Sequence, residues 1–496
     1  MTKLFGAIDL GATSGRVIAA VIGDDRFELT EIHRFVNQPI DSTSGLHWNF
    51  AGIMAEIAVG LKALGEFGDQ AGMPIESVGV DTWAVDFGAL DSKGNLLEAP
   101  RHYRDVRNQI GVADVQARID SAQLFAINGL QHQPFNTIFQ LAALRLQNPE
   151  QWSNIERILL LPDLISYQLT GHAVTEATNA STTGLFDASK KQWSDELLAL
   201  VGLQPAQLAP IVQPGEEIGK LRREFVSSPA LEATRVIAVA SHDTASAVVG
   251  VPLDGRSTAF LSSGTWSLLG LELDAPVLTR SAMTQNFTNE LGAGGRIRFL
   301  KNLSGLWLLS QSIEHWFATG VNQTATVESE LKVLLDQAER ERGGAIFDVT
   351  DPQFLVPGDM PLRIQVAIKR AGMAVPKTPA GIVRSILESL AASYSETIAA
   401  LVAVTGTAIS RINVVGGGSV NRLLCQMTAN ATGLPVLAGP VEATAVGNLL
   451  VQAQAAQLIG PSLEAGRALV RLRFELSEFN PNPQIWRPNN DYCHPA

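Results

Sequence analysis

Residues 7–22 read AIDLGATSGRVIAAVI. Two runs of small and β-branched apolar residues flank the turn Gly11-Ala12-Thr13-Ser14-Gly15, with a carboxylate, Asp9, just before the turn and Arg16 just after it. Such runs on both sides of a short glycine-containing turn predict a strand–turn–strand unit. Gly11 and Gly15 let backbone approach a ligand closely, and turn N–H groups together with the hydroxyls of Thr13 and Ser14 make a concavity suited to a phosphate. The turn is not a P-loop, because the Gly-Lys-Ser/Thr ending is missing and a strand-like run follows where a P-loop opens a helix. The plainer alternative is an ordinary hairpin with an acidic residue at its entry, and the motif alone does not choose between them.

Composition narrows the field. A chain of 496 residues should hold about two to three domains, each able to bury its own core. A net charge of −12 without Lys/Arg clusters argues against nucleic acid or an anionic membrane as partner, since both need a basic surface. The only cysteines are Cys425 and Cys493, too few for a disulfide framework or a cysteine zinc site, so a reducing cytoplasm is expected. The opening MTKLFGAIDL runs straight into a strand, without the pattern of a signal peptide. From Ala443 to Leu463 there is no charge, but Asn448, Gln452, Gln454 and Gln457 interrupt the apolar run, which fits a buried helix rather than a membrane span. Nothing here chooses between a monomer and a homodimer.

Strand-like and helical patterns alternate, as in an α/β fold. FELTEIHRFV (27–36) reads as a strand and MAEIAVGLKALGEFG (54–68) as a helix; IESVGVDTWAVDFGALD (75–91) reads as one strand crossing Trp83 to Asp86. A largely helical middle covers Ser121 to Leu203. The turn Pro252–Gly255 separates two apolar units and sets a domain boundary, giving domains 1–250 and 251–496. AFLSSGTWSLLGLEL (259–273) repeats the plan of the opening hairpin around Thr265, and Gly416, Gly417 and Gly418 follow the strand-like INVV (412–415). The glycine run has no evident packing use, so it too is expected to let backbone approach a ligand, although it lacks the spacing of a dinucleotide fingerprint. Finally, VASHDTASAVVG (239–250) sets His242, Asp243 and Thr244 at the end of an apolar strand and the start of a helix-like run. Open α/β sheets place ligand chemistry there. The alternative for Asp243 is a helix N-cap, a position Asp favours.

Taken together, DLGATSGR (9–16), GVDTWAVDFGALD (79–91), VASHDTASAVVGVPL (239–253), LSSGTWSLLG (261–270), VVGGGSVN (414–421) and AGPVEATAVGN (438–448) resemble the FGGY carbohydrate kinases of the actin-like ATPase superfamily. The resemblance covers nearly the whole chain and is closest to the branch that phosphorylates the 1-hydroxyl of L-rhamnulose. It implies two actin-like (ribonuclease H-like) ATPase domains with a cleft between them, the first holding the sugar site and first phosphate loop, the second the nucleotide site. It further implies ATP and Mg²⁺. By position, the resemblance makes Asp243 the proton acceptor, with Ala84, His242, Thr244 and Asn302 at sugar contacts. It puts Ala12, Thr13, Ser14, Gly15, Arg16, Thr265, Ser310 and Gly417 at nucleotide contacts, and Asp9 on the metal side. Two positions depart from that branch: Ala84 stands where it has Gly, and Ser310 where it has Gln, so that Gln311 or a water would replace the longer side chain. A kinase for another ketose, such as L-fuculose or L-xylulose, and a non-catalytic nucleotide-binding sugar sensor are the alternatives. Asp243 weighs against the sensor, because a pure binder needs no base.

Overall fold

The computed structural model describes residues 2–23, 25–318, 327–341 and 343–482; Cys493 lies outside them. The chain forms two compact units. The first takes Met1–Pro252 and also Glu272–Phe299 and Ala443–Phe474; the second takes Leu253–Leu271, Leu300–Glu442 and Glu475–Ala496.

The first unit is built on a six-stranded sheet in the order Glu217–Lys220, Arg235–Ile237, Ile75–Thr82, Lys3–Leu10, Ser14–Gly23, Arg26–Val36. Lys3–Leu10 pairs antiparallel with Ser14–Gly23 from Lys3↔Ile22 to Leu10↔Gly15, and parallel with Ile75–Thr82. The opening stretch is thus the hairpin its pattern predicts. Its central strand is apolar on both faces because both are covered. Leu4, Ile8 and Leu10 share a core with Ile53, Ile57, Leu61 and Leu64 of the helix Phe50–Ala71, whose N-cap Asn49 accepts from the Gly52 N–H. Phe5 and Ala7 face the other way, into a core with Val249 and with Ala445, Val446 and Leu449 of the helix Ala443–Ala455. That uncharged stretch is a buried helix of 13 residues. The segment from Ser121 to Leu203 is mostly helical, with short strands between the helices.

One expectation fails. The strand starting at Ile75 stops at Thr82, and Phe87–Leu90 pairs instead with Arg157–Leu160 in a separate two-stranded sheet. Between them Val85 has φ +69°, and the Asp86 N–H donates to the Ala84 carbonyl at 2.9 Å, closing a tight turn. A β-branched residue there is strained and needs its surroundings to hold it. They do so at two adjacent groups. The Val85 carbonyl accepts from Thr137 Oγ1 (2.7 Å) and Gln140 Nε2 (3.2 Å), and the Asp86 carboxylate accepts from Trp48 Nε1 (2.6 Å), Trp83 Nε1 (2.9 Å) and Gln140 Nε2 (3.0 Å).

A second, seven-stranded sheet runs in the order Thr288–Leu291, Ile297–Ser304, Trp266–Leu273, Thr258–Ser263, Arg411–Val415, Val436–Ala438, Ser477–Phe479. Thr258–Ser263 pairs antiparallel with Trp266–Leu273 and parallel with Arg411–Val415, as Lys3–Leu10 does with its neighbours. The helix Pro379–Thr405 is long and apolar enough to cross a membrane by length and composition. It is instead a core helix: Ile386, Leu387, Leu390 and Tyr394 are fully buried, and Arg384 Nε donates to Glu388 Oε1 at 2.6 Å within it.

Candidate active site

In the first unit, three carboxylates gather at the carboxyl ends of adjacent strands. Asp9 is paired across the hairpin with Arg16, whose Nη2 donates to Asp9 Oδ2 at 2.6 Å. On its other side Asp9 is the parallel register partner of Asp81. Asp81 is fully buried; its Oδ2 accepts from Asn448 Nδ2 at 2.6 Å, and its Oδ1 meets no donor. Burial, then the Asp9 charge, push the Asp81 carboxyl well above the usual carboxylate range, and Asp243 acts in the same sense. In the sequence Asp81 reads as one more residue of a strand.

Asp243 arrives from the strand Arg235–Ile237. The Thr82 N–H donates to the Ser241 carbonyl at 2.9 Å, and Thr82 bridges His242 in parallel register, so the His242-Asp243-Thr244 triplet sits beside the end of Ile75–Thr82. The buried Glu176 fixes this corner by accepting from the Ser241 N–H (3.0 Å) and Ser241 Oγ (2.7 Å). Asp243 is the first residue of the helix Asp243–Gly250, and the N-cap position belongs to His242. The helix is seated backbone to backbone on Ala443–Ala455: a Cβ on Gly447 would lie 1.8 Å from the Ser246 carbonyl.

The Asp243 carboxylate is asymmetric. Oδ1 accepts from the Thr244 N–H (2.5 Å) and Thr244 Oγ1 (3.1 Å) and lies 3.3 Å from His242 Nε2. Among the described residues no donor reaches Oδ2. The Asp243 side chain is 33% exposed against 7% for Asp9, so it is the carboxylate of the three that a substrate can reach.

Ala84 lies in the strained turn two residues beyond Thr82, half-buried. Beside the turn stands a cluster of rings: Trp48 tilted against Trp83 at 4.1 Å and stacked on His102 at 4.2 Å, and His102 stacked on Tyr103 at 4.5 Å. Burial, with Arg104 nearby, pushes the His102 imidazole down to about 4, so it is neutral in this stack near pH 7. The first-hairpin turn is closed by Gly11 N–H to the Ser14 carbonyl (2.8 Å) and pinned by Asn37 Nδ2 to the Gly11 carbonyl (3.0 Å). Thr13 is exposed and Ala12, Ser14 and Arg16 are half-buried, whereas Gly15 is buried against Phe35.

In the second unit, Thr265 occupies the matching turn, tied by the Trp307 N–H to its carbonyl at 3.2 Å. The glycine run departs from the sequence reading, because two of its three residues do have packing uses. Gly416 has φ +78°, where a Cβ would lie 2.9 Å from the Ser263 carbonyl oxygen, and a Cβ on Gly418 would overlap Ser263 Oγ at 2.0 Å. Only Gly417 is exposed with nothing within 4 Å of an added Cβ. Ser263 thus joins the Thr265 and Gly417 loops. Asn302 lies on the strand Ile297–Ser304 and Ser310 on the exposed side of the helix Trp307–Ala318. Gln311 Nε2 is engaged with Glu314 Oε2 at 2.6 Å.

Residues 4–250 match the N-terminal domain of the FGGY family of carbohydrate kinases, and residues 259–456 its C-terminal domain. The chain belongs to this family. It is therefore a carbohydrate kinase, a phosphotransferase with the two-domain, actin-like α/β fold of that family. The chain is 40% identical to a rhamnulokinase of Bacteroides thetaiotaomicron over 97% of its length and 96% of that protein's, and 38% identical to a rhamnulokinase of Enterococcus faecalis over 97% and 95%. Among solved structures, a gluconate kinase from Lactobacillus acidophilus matches the fold with a TM-score of 0.78 at 17% identity, covering 98% of this chain and 95% of that one.

Proposed function

We propose that the chain transfers the terminal phosphoryl group of ATP to the 1-hydroxyl of L-rhamnulose, with Asp243 as the general base. The near full-length similarity to rhamnulokinases supports the sugar, and the open Oδ2 of Asp243 is the observation that carries the mechanism. The sugar hydroxyl would approach Oδ2 while Thr244 holds Oδ1 with His242 Nε2 3.3 Å from it, so the proton leaves for an oxygen with no competing donor. Phosphoryl transfer passes through a loose transition state, and a positioned base there is worth about 10² to 10⁴ in rate.

Ala84, His242, Thr244 and Asn302 are assigned to the sugar. Ala12 to Arg16, Thr265, Ser310 and Gly417 are assigned to the nucleotide: exposed hydroxyls and open glycine backbone suit phosphate oxygens. Among the described residues no group of three or more His, Cys, Asp or Glu side chains could hold a metal by itself. The residues present fit Mg²⁺ bound chiefly through phosphate oxygens and water, with Asp9 as the protein carboxylate on that side; Mg²⁺ so bound neutralises phosphate charge. A kinase drawing on ATP, with its described cysteine buried and free, suits the cytoplasm.

The test is Asp243→Asn, assayed as ADP release with saturating ATP and L-rhamnulose. Asn keeps the size of the side chain but cannot take the proton, so turnover should fall about a hundredfold or more with ATP affinity retained. A variant keeping more than about a tenth of the wild-type rate refutes the base assignment. A ketose panel including L-fuculose and L-xylulose tests the sugar, and ATP binding without turnover on any ketose would favour the sensor.

A further inference from the structure

The His242 imidazole is buried, and its two nitrogens meet opposite demands. Nδ1 lies 3.1 Å from Arg298 Nη2 and 3.4 Å from Glu290 Oε2, while Nε2 lies 3.3 Å from Asp243 Oδ1. A neutral imidazole carries one N–H. Were it on Nδ1, the Arg298 hydrogen bond would be lost and the N–H could turn only to Glu290 Oε2 at 3.4 Å, while the Nε2 lone pair would face the Asp243 carboxylate. With the proton on Nε2, Arg298 donates to Nδ1 and the N–H end of the ring lies 3.3 Å from Asp243 Oδ1 as an electrostatic contact, while Glu290 Oε2 meets no hydrogen-bond donor.

We propose that Arg298 is a positioning residue: by donating to His242 Nδ1 it confines the imidazole to its Nε2–H tautomer, which then anchors Asp243 Oδ1 and leaves Oδ2 to accept the proton. The inference rests on reading Asp243 as the base.

The setting of Arg298 favours this over a purely structural role. Its side chain is fully buried, Nε donates to the Leu291 carbonyl at 3.0 Å, and Nη2 lies 3.0 Å from Glu290 Oε2, but Nη1 meets no acceptor. A buried ion pair with an unsatisfied N–H is a poor stabiliser, and apolar residues of similar size often replace such pairs without loss. Glu290 supplies the charge that keeps the guanidinium buried; Glu176, Asp243 and Glu272 are the other carboxylates whose field it feels. The orientation of a histidine's far nitrogen by the bond its near nitrogen makes is a general means of fixing the tautomer.

The direct test is ¹⁵N NMR of the full chain labelled in histidine, with His242 assigned by the resonances lost in His242→Gln. A pyridine-like Nδ1 and a protonated, pyrrole-like Nε2 are expected; a protonated Nδ1 in the neutral ring overturns the proposal. In the double variant Arg298→Met with Glu290→Met, both charges go together so that neither is stranded. There the tautomer preference should be lost and turnover should fall about tenfold to a hundredfold, the size of effect found when the partner behind a metal-bound histidine is removed. The KM for ATP should not change. Wild-type turnover in that variant also overturns it. If instead the tautomer is as expected but Asp243→Asn stays active, the base assignment has failed, and the catalytic part of this proposal falls with it.

Discussion

Replacing Asp86 by Asn should change how stability depends on pH, in a direction opposite to that of an ordinary salt-bridged acid. Asp86 is buried and accepts from Trp48 Nε1, Trp83 Nε1, Gln140 Nε2 and the Tyr103 N–H. Burial outweighs these donors and pushes its carboxyl from 3.8 up to about 6. Between those values the folded chain holds a proton that the unfolded chain has released, so this group's contribution is complete below the lower value and is lost as pH rises through the upper one. The interval corresponds to about 3 kcal/mol, at about 1.4 kcal/mol per tenfold change.

Asn carries no such proton. It can turn its oxygen to the indoles, but its NH₂ then meets Gln140 Nε2, which is held by the carbonyls of Val85 (3.2 Å) and Phe135 (2.9 Å). At low pH the variant should therefore be less stable than the wild type by about 1–3 kcal/mol, the cost of one spoiled buried bond. Near neutral pH that deficit should close or reverse. Urea unfolding followed by tryptophan fluorescence at several pH values between about 4 and 7 reads the difference. His102 titrates in both chains, so its contribution drops out. A difference that stays constant, or a wild type that gains on the variant as pH rises, refutes the reasoning.

Two glycines one residue apart should behave differently. Gly417→Val should leave the melting temperature unchanged, since nothing lies within 4 Å, yet weaken ATP binding at least tenfold by calorimetric titration, at about 1.4 kcal/mol per decade. Gly418→Ala should lower the melting temperature, because its methyl group would overlap Ser263 Oγ; unchanged melting would mean the loop has room to yield. Ala84→Gly should shift the ratio of kcat/KM among ketoses by about tenfold to two-hundredfold while the KM for ATP stays put, as one methyl in a pocket is worth about 1–3 kcal/mol. Equal effects on every sugar would take Ala84 out of the sugar site.

The hairpins, the buried helix Ala443–Ala455 and the placement of Asp243 at a strand-to-helix junction were legible in the sequence because each rests on local pattern. The break at Val85 was not: VDTWAVDFGAL alternates as a strand would, and no Gly or Asn marks the positive φ. It is imposed from outside, by Thr137 and Gln140 on the Val85 carbonyl and by two indoles on Asp86. The glycine run misleads for the converse reason, since Gly416 and Gly418 answer to Ser263, more than 150 residues earlier by number. Arg298 and Glu290 sit in TNELGAGGRIRFL (288–300) as two unremarked charges, and only the turn closed by the Gly292 N–H and the Arg296 carbonyl (2.8 Å) sets one beside the other. Likewise the return of Glu272–Phe299 and Ala443–Phe474 to the first unit leaves no mark at the Pro252–Gly255 turn.

The two sheets carry one plan with different chemistry. Matching the hairpins at their last pairs, Leu10↔Gly15 and Ser263↔Ser267, sets Asp9 against Ser262 and Arg16 against Leu268. The parallel partners Asp9↔Asp81 and Ser262↔Val415 then set Asp81 against Val415. At the same places in the plan, charge in the first unit is replaced by a hydroxyl and apolar groups in the second. The loops that follow are also equivalent: Gly11–Thr13 and the Ala84 turn in one, Gly264–Thr265 and the Gly416–Gly418 run in the other. All leave the carboxyl ends of central strands, where open sheets hold ligands. The acid–base work proposed here therefore belongs to the first unit, and the second carries no carboxylate at these matched positions. A carboxylate introduced by Ser262→Asp should accordingly weaken nucleotide binding by repulsion, in spite of restoring the residue that the first unit uses.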